Sequence, residues 1–279
     1  MATATATRTK TDANAARGND DAVVGLLEVC ELRGADYAAH LSEGERAKYA
    51  GLAGERRRGE WLAGRLAAKF LFLNRLGGTR EPLHAPGTPY LLKISSAELA
   101  AFSPWMYRAV EILSDEGAPG LVWCGRRREE KVSLSHTGGV ACACLSPSAP
   151  VAVDIETVAP REDAFYRKNF DEAERNWVAR HAVGRFDAEW HFTLLWSLKE
   201  SALKLGWLNE ASLWTLPRVR ISGLPELEHV GPVGTTGDRF ASFAARVEED
   251  GRVTHARVAA AGTHKLVLTT MGPLMGGFN

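Results

Sequence analysis

The chain has 279 residues, with 34 Lys and Arg against 34 Asp and Glu, so its formal net charge is zero. Hydrophobic residues make up 45% and charged residues 24%, which excludes a fibrous repeat or a chain disordered throughout. A balanced charge supplies no global field for wrapping nucleic acid or coating an anionic membrane. Neither is expected as a partner, and any anionic ligand must meet a local patch.

Residues 1–22, rich in Thr, Ala and Asn, lack the apolar core of a secretion signal and read as a disordered tail. Ala22–Arg33 predicts an opening strand. Ser42 and Glu45 have the Ser-x-x-Glu spacing of a capping box, so a helix starts there. Good helix formers from Glu55 to Leu76, closed by Gly77-Gly78, predict a long helix. Tyr107–Leu113 and Leu121–Cys124 predict two strands joined by a turn. The run Val132–Val153 has no Asp, Glu, Lys or Arg, but its two Gly, two Pro and four Ser make it strands and turns, not a bilayer span. Cys30, Cys124, Cys142 and Cys144 have neither the number nor the spacing of a disulfide framework or zinc site. Cys142 and Cys144 are expected to be apolar fillers on one face of a strand, and a cytoplasmic chain is the expectation.

The Ser/Pro cluster Leu145–Pro150 marks a seam between residues 23–148 and 149–279. Beyond it, Val151–Glu156 predicts a strand, and Phe170–His181 and Ala188–Leu205 predict helices. Further β-type runs lie near Val219, at Phe240–Val247 and at Thr254–Thr269. Strands and helices mix in both halves without regular β-α-β alternation, which argues an α+β fold.

Four constellations could carry chemistry. Asp154 and Glu156, two apart on a strand, put two carboxylates on one face, an arrangement that invites a hard cation. On a helical wheel, Glu200 and Lys204 share a polar stripe opposite Leu195, Leu198 and Ala202. Ser135-His136 before Gly138-Gly139 combines a hydroxyl, an imidazole and open amides, which suits an anion. Arg56, Arg57, Arg58, Arg65 and Lys69 form a basic run. Each has a plainer counterpart: a hydrated strand end, a surface ion pair, a polar turn, and cations snorkelling from a buried helix.

Taken in order, Ser135-His136, then Ala152-Val-Asp154-Ile-Glu156, then Trp196-Ser-Leu-Lys199-Glu200-Ser-Ala-Leu-Lys204 resemble the signature of the 4′-phosphopantetheinyl transferases. The likeness is to their larger, single-chain pseudo-dimeric class, the kind that activates surfactin-type synthetases. Ala63-Gly64-Arg65 is similar to that family's first helix, and the resemblance spans residues 23–270.

The resemblance implies two similar α+β subdomains in one monomeric chain, with the metal site in the second. The implied reaction moves the phosphopantetheine arm of coenzyme A to a serine of an apo acyl or peptidyl carrier protein of fatty-acid, polyketide or nonribosomal-peptide synthesis. It implies Mg²⁺ held by Asp154, Glu156 and Glu200. Glu200 takes the serine proton, and Lys204 neutralises charge on the leaving 3′,5′-ADP. Ser135, His136, Arg56 and Arg65 seat the phosphates. As a metal ligand, Asp154 is expected to face solvent.

Two positions depart from the family pattern. Ala152 replaces a glycine, and Gly117-Ala118-Pro119 replaces Gly-Lys-Pro, removing a basic phosphate contact for which Arg126–Arg128 are nearby replacements. Two alternatives compete. A nuclease of the Asp…Glu-x-Lys type would need lysine where Val158 stands. A non-catalytic module would bind coenzyme A or the carrier without transfer.

Overall fold

A computed structural model describes residues 22–77, 90–113, 119–182, 187–206, 220–221, 230–232, 239–249, 252–261 and 266–271. The elements in chain order begin with β1 (Val23–Glu28), two short 3-10 turns (Val29–Leu32, Tyr37–His40), α1 (Glu43–Gly51) and α2 (Glu55–Gly77). Next come β2 (Tyr90–Ile94), α3 (Ser96–Leu99), α4 (Pro104–Ala109), β3 (Val110–Leu113), β4 (Gly120–Trp123) and β5 (Arg126–Arg127). The central part holds β6 (Lys131–Thr137), β7 (Val140–Ser146), β8 (Ala152–Thr157), α5 (Asp163–Asn169), α6 (Glu172–His181) and α7 (Ala188–Lys204). The chain closes with β9 (Arg220–Ile221), β10 (Val230–Pro232), β11 (Arg239–Glu249), β12 (Arg252–Ala261) and β13 (Leu266–Met271). The tail at 1–21, Gly78, Gly117-Ala118 and Val219 lie outside the described residues.

One sheet runs β2-β1-β7-β6, with β1 and β2 parallel and the other pairs antiparallel. Alternation along its strands sends Leu27, Ala141, Ala143 and Leu145 to one face and Val24, Leu26, Cys142 and Cys144 to the other. Helix α2 covers the first face with Leu66, Phe70 and Leu71, each buried side chain contributing about 1.5–3 kcal/mol. Gly25 leaves room for both neighbours, since a Cβ there would lie 2.8 Å from Ile94 Cδ1 of β2 and 3.2 Å from Leu71 Cδ2 of the helix. Cys142 and Cys144 are free, buried fillers as expected.

The second sheet runs β10-β11-β12-β13-β8, with β9 also on β11. Its edge strand β8 contributes Val153 and Ile155 to the apolar cluster with Val24, Leu26, Cys142 and Cys144, so the two sheets share that layer. Hydroxyls of β6 stitch the same junction at alternate positions. Ser133 Oγ accepts the Val153 N–H at 3.0 Å, Ser135 Oγ donates to Asp154 Oδ1 at 2.8 Å, and the Thr137 and Thr157 hydroxyls lie 3.2 Å apart. On the far side α7 is fixed to β13, where Thr269 Oγ1 donates to the Ser197 carbonyl at 3.0 Å. Strands β3, β4 and β5 form a third, small sheet.

Several boundaries differ from the sequence reading. The opening strand stops at Glu28; Val29–Leu32 wind as a 3-10 turn, and the Val29 N–H is taken by the Gly139 carbonyl instead. Tyr107–Ala109 are helical rather than extended. Pro104 at the first turn presets a helical φ, and Tyr107 is buried with its hydroxyl on the Leu99 carbonyl at 3.0 Å. The run Thr254–Thr269 divides into two antiparallel strands, β12 and β13. Capping boxes close at Ser42/Glu45, as expected, and also at Ser95/Glu98 and Asp171/Glu174. No helix among the described residues is long and apolar enough to cross a membrane.

Candidate functional site

Because β8 alternates, Val153 and Ile155 enter the layer between the sheets while Asp154 and Glu156 turn to the opposite face, toward α7. Asp154 is only 3% exposed, so it does not face solvent as the sequence suggested. Its Oδ1 accepts from Ser135 Oγ at 2.8 Å and from Lys204 Nζ at 2.7 Å. Lys204 donates also to the Val153 carbonyl at 3.0 Å. Asp154 Oδ2 is buried and has no hydrogen-bond partner among the described residues. Glu156 Oε1 accepts from Trp196 Nε1 at 3.1 Å, and its Oε2 accepts from Arg161 Nη2 at 3.0 Å. Arg161 in turn lies 4.7 Å over the Phe165 ring, which packs edge-on against Trp196.

Helix α7 reaches this strand from the side. Asp187 caps it by accepting the Trp190 N–H, and Lys199 anchors it from beneath. The Lys199 ammonium is fully buried, donating to the Asn169 carbonyl at 2.6 Å and to Glu174 Oε2 at 2.8 Å, and it lies 4.8 Å over the Phe170 ring. With Lys199 turned inward, the next residue, Glu200, turns toward the strand carboxylates.

The three acids share one field. Burial is the main cause that raises the Glu156 carboxyl, the charge of Asp154 adds to it, and Arg161 and Trp196 oppose. Burial likewise raises Glu200, with Asp154 and Glu156 adding and Lys204 opposing. Glu200 makes no hydrogen bond or ion pair among the described residues. Clustered carboxylates, an oxygen-only donor set and an orphaned buried Asp154 oxygen are the chemistry that suits a hard divalent cation. Even so, no group of three or more His, Cys, Asp or Glu side chains among the described residues is arranged to grip a metal ion. Lys204 and Arg161 instead hold the two strand acids, which share one charge cluster with Glu200 without closing into a cage.

The Ser-His turn lies on the other flank. Gly138 and Gly139 turn the β6–β7 hairpin with φ of +56° and +85°, and a Cβ on Gly138 would meet Thr157 Oγ1 at 2.8 Å. Ser135 faces Asp154 and His136 faces away. His136 Nδ1 lies 3.2 Å from Glu60 Oε2 of α2. Glu60 Oε1 also accepts the Gly139 N–H at 3.0 Å and Arg56 Nε at 3.1 Å.

The basic run of α2 divides. Arg56 is largely exposed. Arg65 is only 5% exposed, with its guanidinium 4.6 Å over the Trp61 ring, and burial lowers its pKa against the pull of Glu45. Lys69 is buried in an ion pair with Glu45 and donates to the His40 and Tyr107 carbonyls. The helix needs Leu62, Leu66 and Phe70 inward, and Arg65 and Lys69 go in with that face. A cleft of about 540 Å³ opens beside Arg56, lined also by Val29, Tyr37, Tyr49, Arg58 and Leu62. None of the three acids lines it.

Residues 150–215 match the model of the 4′-phosphopantetheinyl transferase superfamily. The matched segment contains β8 and α7, and so Asp154, Glu156, Glu200 and Lys204. It supports a transferase concerned with phosphopantetheinyl transfer in general. No curated protein matches the chain.

Three contributors were not legible in the sequence. Glu60, one of many helix glutamates, becomes a hub only when the β6–β7 hairpin folds onto α2. Arg161 reaches Glu156 across a Pro-containing connection of no fixed period. The Ser135–Asp154 bond joins residues whose proximity depends on β6 and β8 lying side by side.

Proposed function

We propose that this protein transfers the 4′-phosphopantetheine arm of coenzyme A to a serine of an apo acyl or peptidyl carrier protein, releasing 3′,5′-ADP, with Mg²⁺ required. The observation that carries the reading is the convergence of Asp154 and Glu156 of β8 with Glu200 and Lys204 of α7 in one buried field. These are the residues inside the segment that matches the superfamily model.

In the proposed step the carrier serine Oγ attacks the phosphorus that bears the pantetheine arm. A new O–P bond forms there as the bridging P–O bond to 3′,5′-ADP breaks. Glu200 receives the serine proton. Burial beside two other acids raises its affinity for a proton, with the Lys204 charge opposing. Asp154 holds the Lys204 ammonium at the acid cluster, where it meets charge developing on the leaving phosphate. Ser135 fixes Asp154, and Trp196 fixes Glu156, so the carboxylates are oriented before substrate arrives. Bound Mg²⁺, for which Asp154, Glu156 and Glu200 are the candidate ligands, would supply charge neutralisation at the pyrophosphate. Arg56 and His136, exposed on the opposite flank, are the proposed phosphate contacts, with the cleft beside Arg56 as adjoining space. A single chain carrying both sheets is proposed to act as a monomer in the cytoplasm.

The test is direct. The protein is incubated with coenzyme A, Mg²⁺ and a panel of apo carrier proteins of fatty-acid, polyketide and peptide synthesis, and the carriers are weighed by mass spectrometry. A phosphopantetheine increment supports transfer. Coenzyme A binding without an increment on any carrier means a binding module instead.

A further inference from the structure

We infer that Glu60 is a positioning residue for the phosphate seat, acting through His136 and Arg56; this rests on the reading proposed above. A single carboxylate on the first turns of α2 gathers three groups from two elements. It takes the Arg56 Nε at 3.1 Å, the Gly139 N–H at 3.0 Å and lies 3.2 Å from His136 Nδ1. The carboxylate is 8% exposed, whereas the side chains of Arg56 and His136 are 76% and 49% exposed. The buried partner therefore anchors two solvent-facing side chains, and without it both would sample many rotamers.

The surrounding fold keeps Glu60 in reach. Gly59 lets α2 approach the start of the first 3-10 turn, since a Cβ there would lie 2.7 Å from Val29 Cγ1. Val29 also donates its N–H to the Gly139 carbonyl at 2.8 Å, so Gly139 is held from both sides, by Val29 and by Glu60. Burial works against a charged Glu60, but the Gly139 amide, Arg56 and His136 together outweigh it and hold the carboxyl below its ordinary value. With Nδ1 on Glu60, the His136 ring directs Nε2 away from the helix, where it can donate to an anion.

Two effects of opposite sign meet at this carboxylate. Its negative charge repels a nearby phosphate, and its contacts preorganise the two side chains, Arg56 and His136, that would bind one. Preorganisation should prevail, because Arg56 already offsets the Glu60 charge while Arg56 and His136 have no other buried anchor among the described residues.

Glu60→Gln tests this with little disturbance, since the amide oxygen can still accept the Gly139 N–H. The variant is expected to raise KM for coenzyme A about tenfold while kcat stays within about twofold. On a background of His136→Ala and Arg56→Ala together it should add nothing, because a residue that works through those two side chains has no effect once both are gone. Glu60→Asp, which keeps the charge on a shorter arm, should fall between wild type and Glu60→Gln, and serves if the glutamine variant folds poorly. An unchanged or lowered KM in a folded variant, or an additive effect of Glu60→Gln in the triple variant, overturns the inference. If wild type neither binds nor consumes coenzyme A, the functional reading itself fails and this inference with it; a normal wild type with an indifferent Glu60→Gln overturns the inference alone.

Discussion

Replacing Asp154 separates two views of this residue, a solvated ligand or a buried junction. In Asp154→Ala the Ser135 hydroxyl loses its acceptor at 2.8 Å and the Lys204 ammonium loses its counter-ion at 2.7 Å. A hydrogen bond to a charged group contributes about 1.5–3 kcal/mol, and two such bonds are lost. Against that, repulsion of Glu156 and Glu200 by Asp154 is relieved, and Lys204, 27% exposed, partly regains water. The net destabilisation should be about 2 kcal/mol, or a fall in Tm of about 3–4 °C for a chain of this size. Asp154→Asn retains an acceptor for Ser135 and should lose less. Removing the stranded cation as well, in Asp154→Ala/Lys204→Met, should recover part of the loss. Melting is followed by circular dichroism beside transfer activity, which should vanish in every Asp154 variant. An Asp154→Ala protein melting within about 1 °C of wild type would refute the buried junction, and full activity would refute the site.

Lys204→Ala is expected to lower kcat more than affinity for coenzyme A; an effect confined to affinity, measured by calorimetry, would make its role ground-state binding. Lys199→Met strands Glu174 beneath α7 and should cost about 3–5 kcal/mol, whereas Lys199→Met/Glu174→Leu should restore most of it, as read by urea denaturation. Acid should reveal the Glu60 anchor. A carboxyl held below its ordinary 4.5 binds its proton less readily when folded, so its stabilisation is complete above that value and lost as pH falls below it. The Tm difference between wild type and Glu60→Gln should therefore narrow steadily as pH drops from about 6 toward 3.

What the sequence determined by itself follows from local rules. Ser42 with Glu45 can satisfy two orphan amides only at a helix start. The apolar spacing of α2 and α7 admits one inward face each. Alternation on β8 puts Asp154 and Glu156 together whatever lies around them. Asp154 with Glu156, and Glu200 with Lys204, were thus readable as two pairs, and only the resemblance to the transferase signature joined them. Exposure and pairing were not, because they depend on neighbours far along the chain. Only the packing of β6 against β8 buries Asp154 under Ser135, and only the docking of α7 carries Lys204 to that carboxylate rather than to solvent. The same tertiary choice turned Arg65 and Lys69 inward with the apolar face of α2, and made a hub of Glu60 because a glycine hairpin closes over it. Periodicity within one element fixes which residues share a face; what that face meets is decided by contacts between elements, and there charge, burial and chemistry are set.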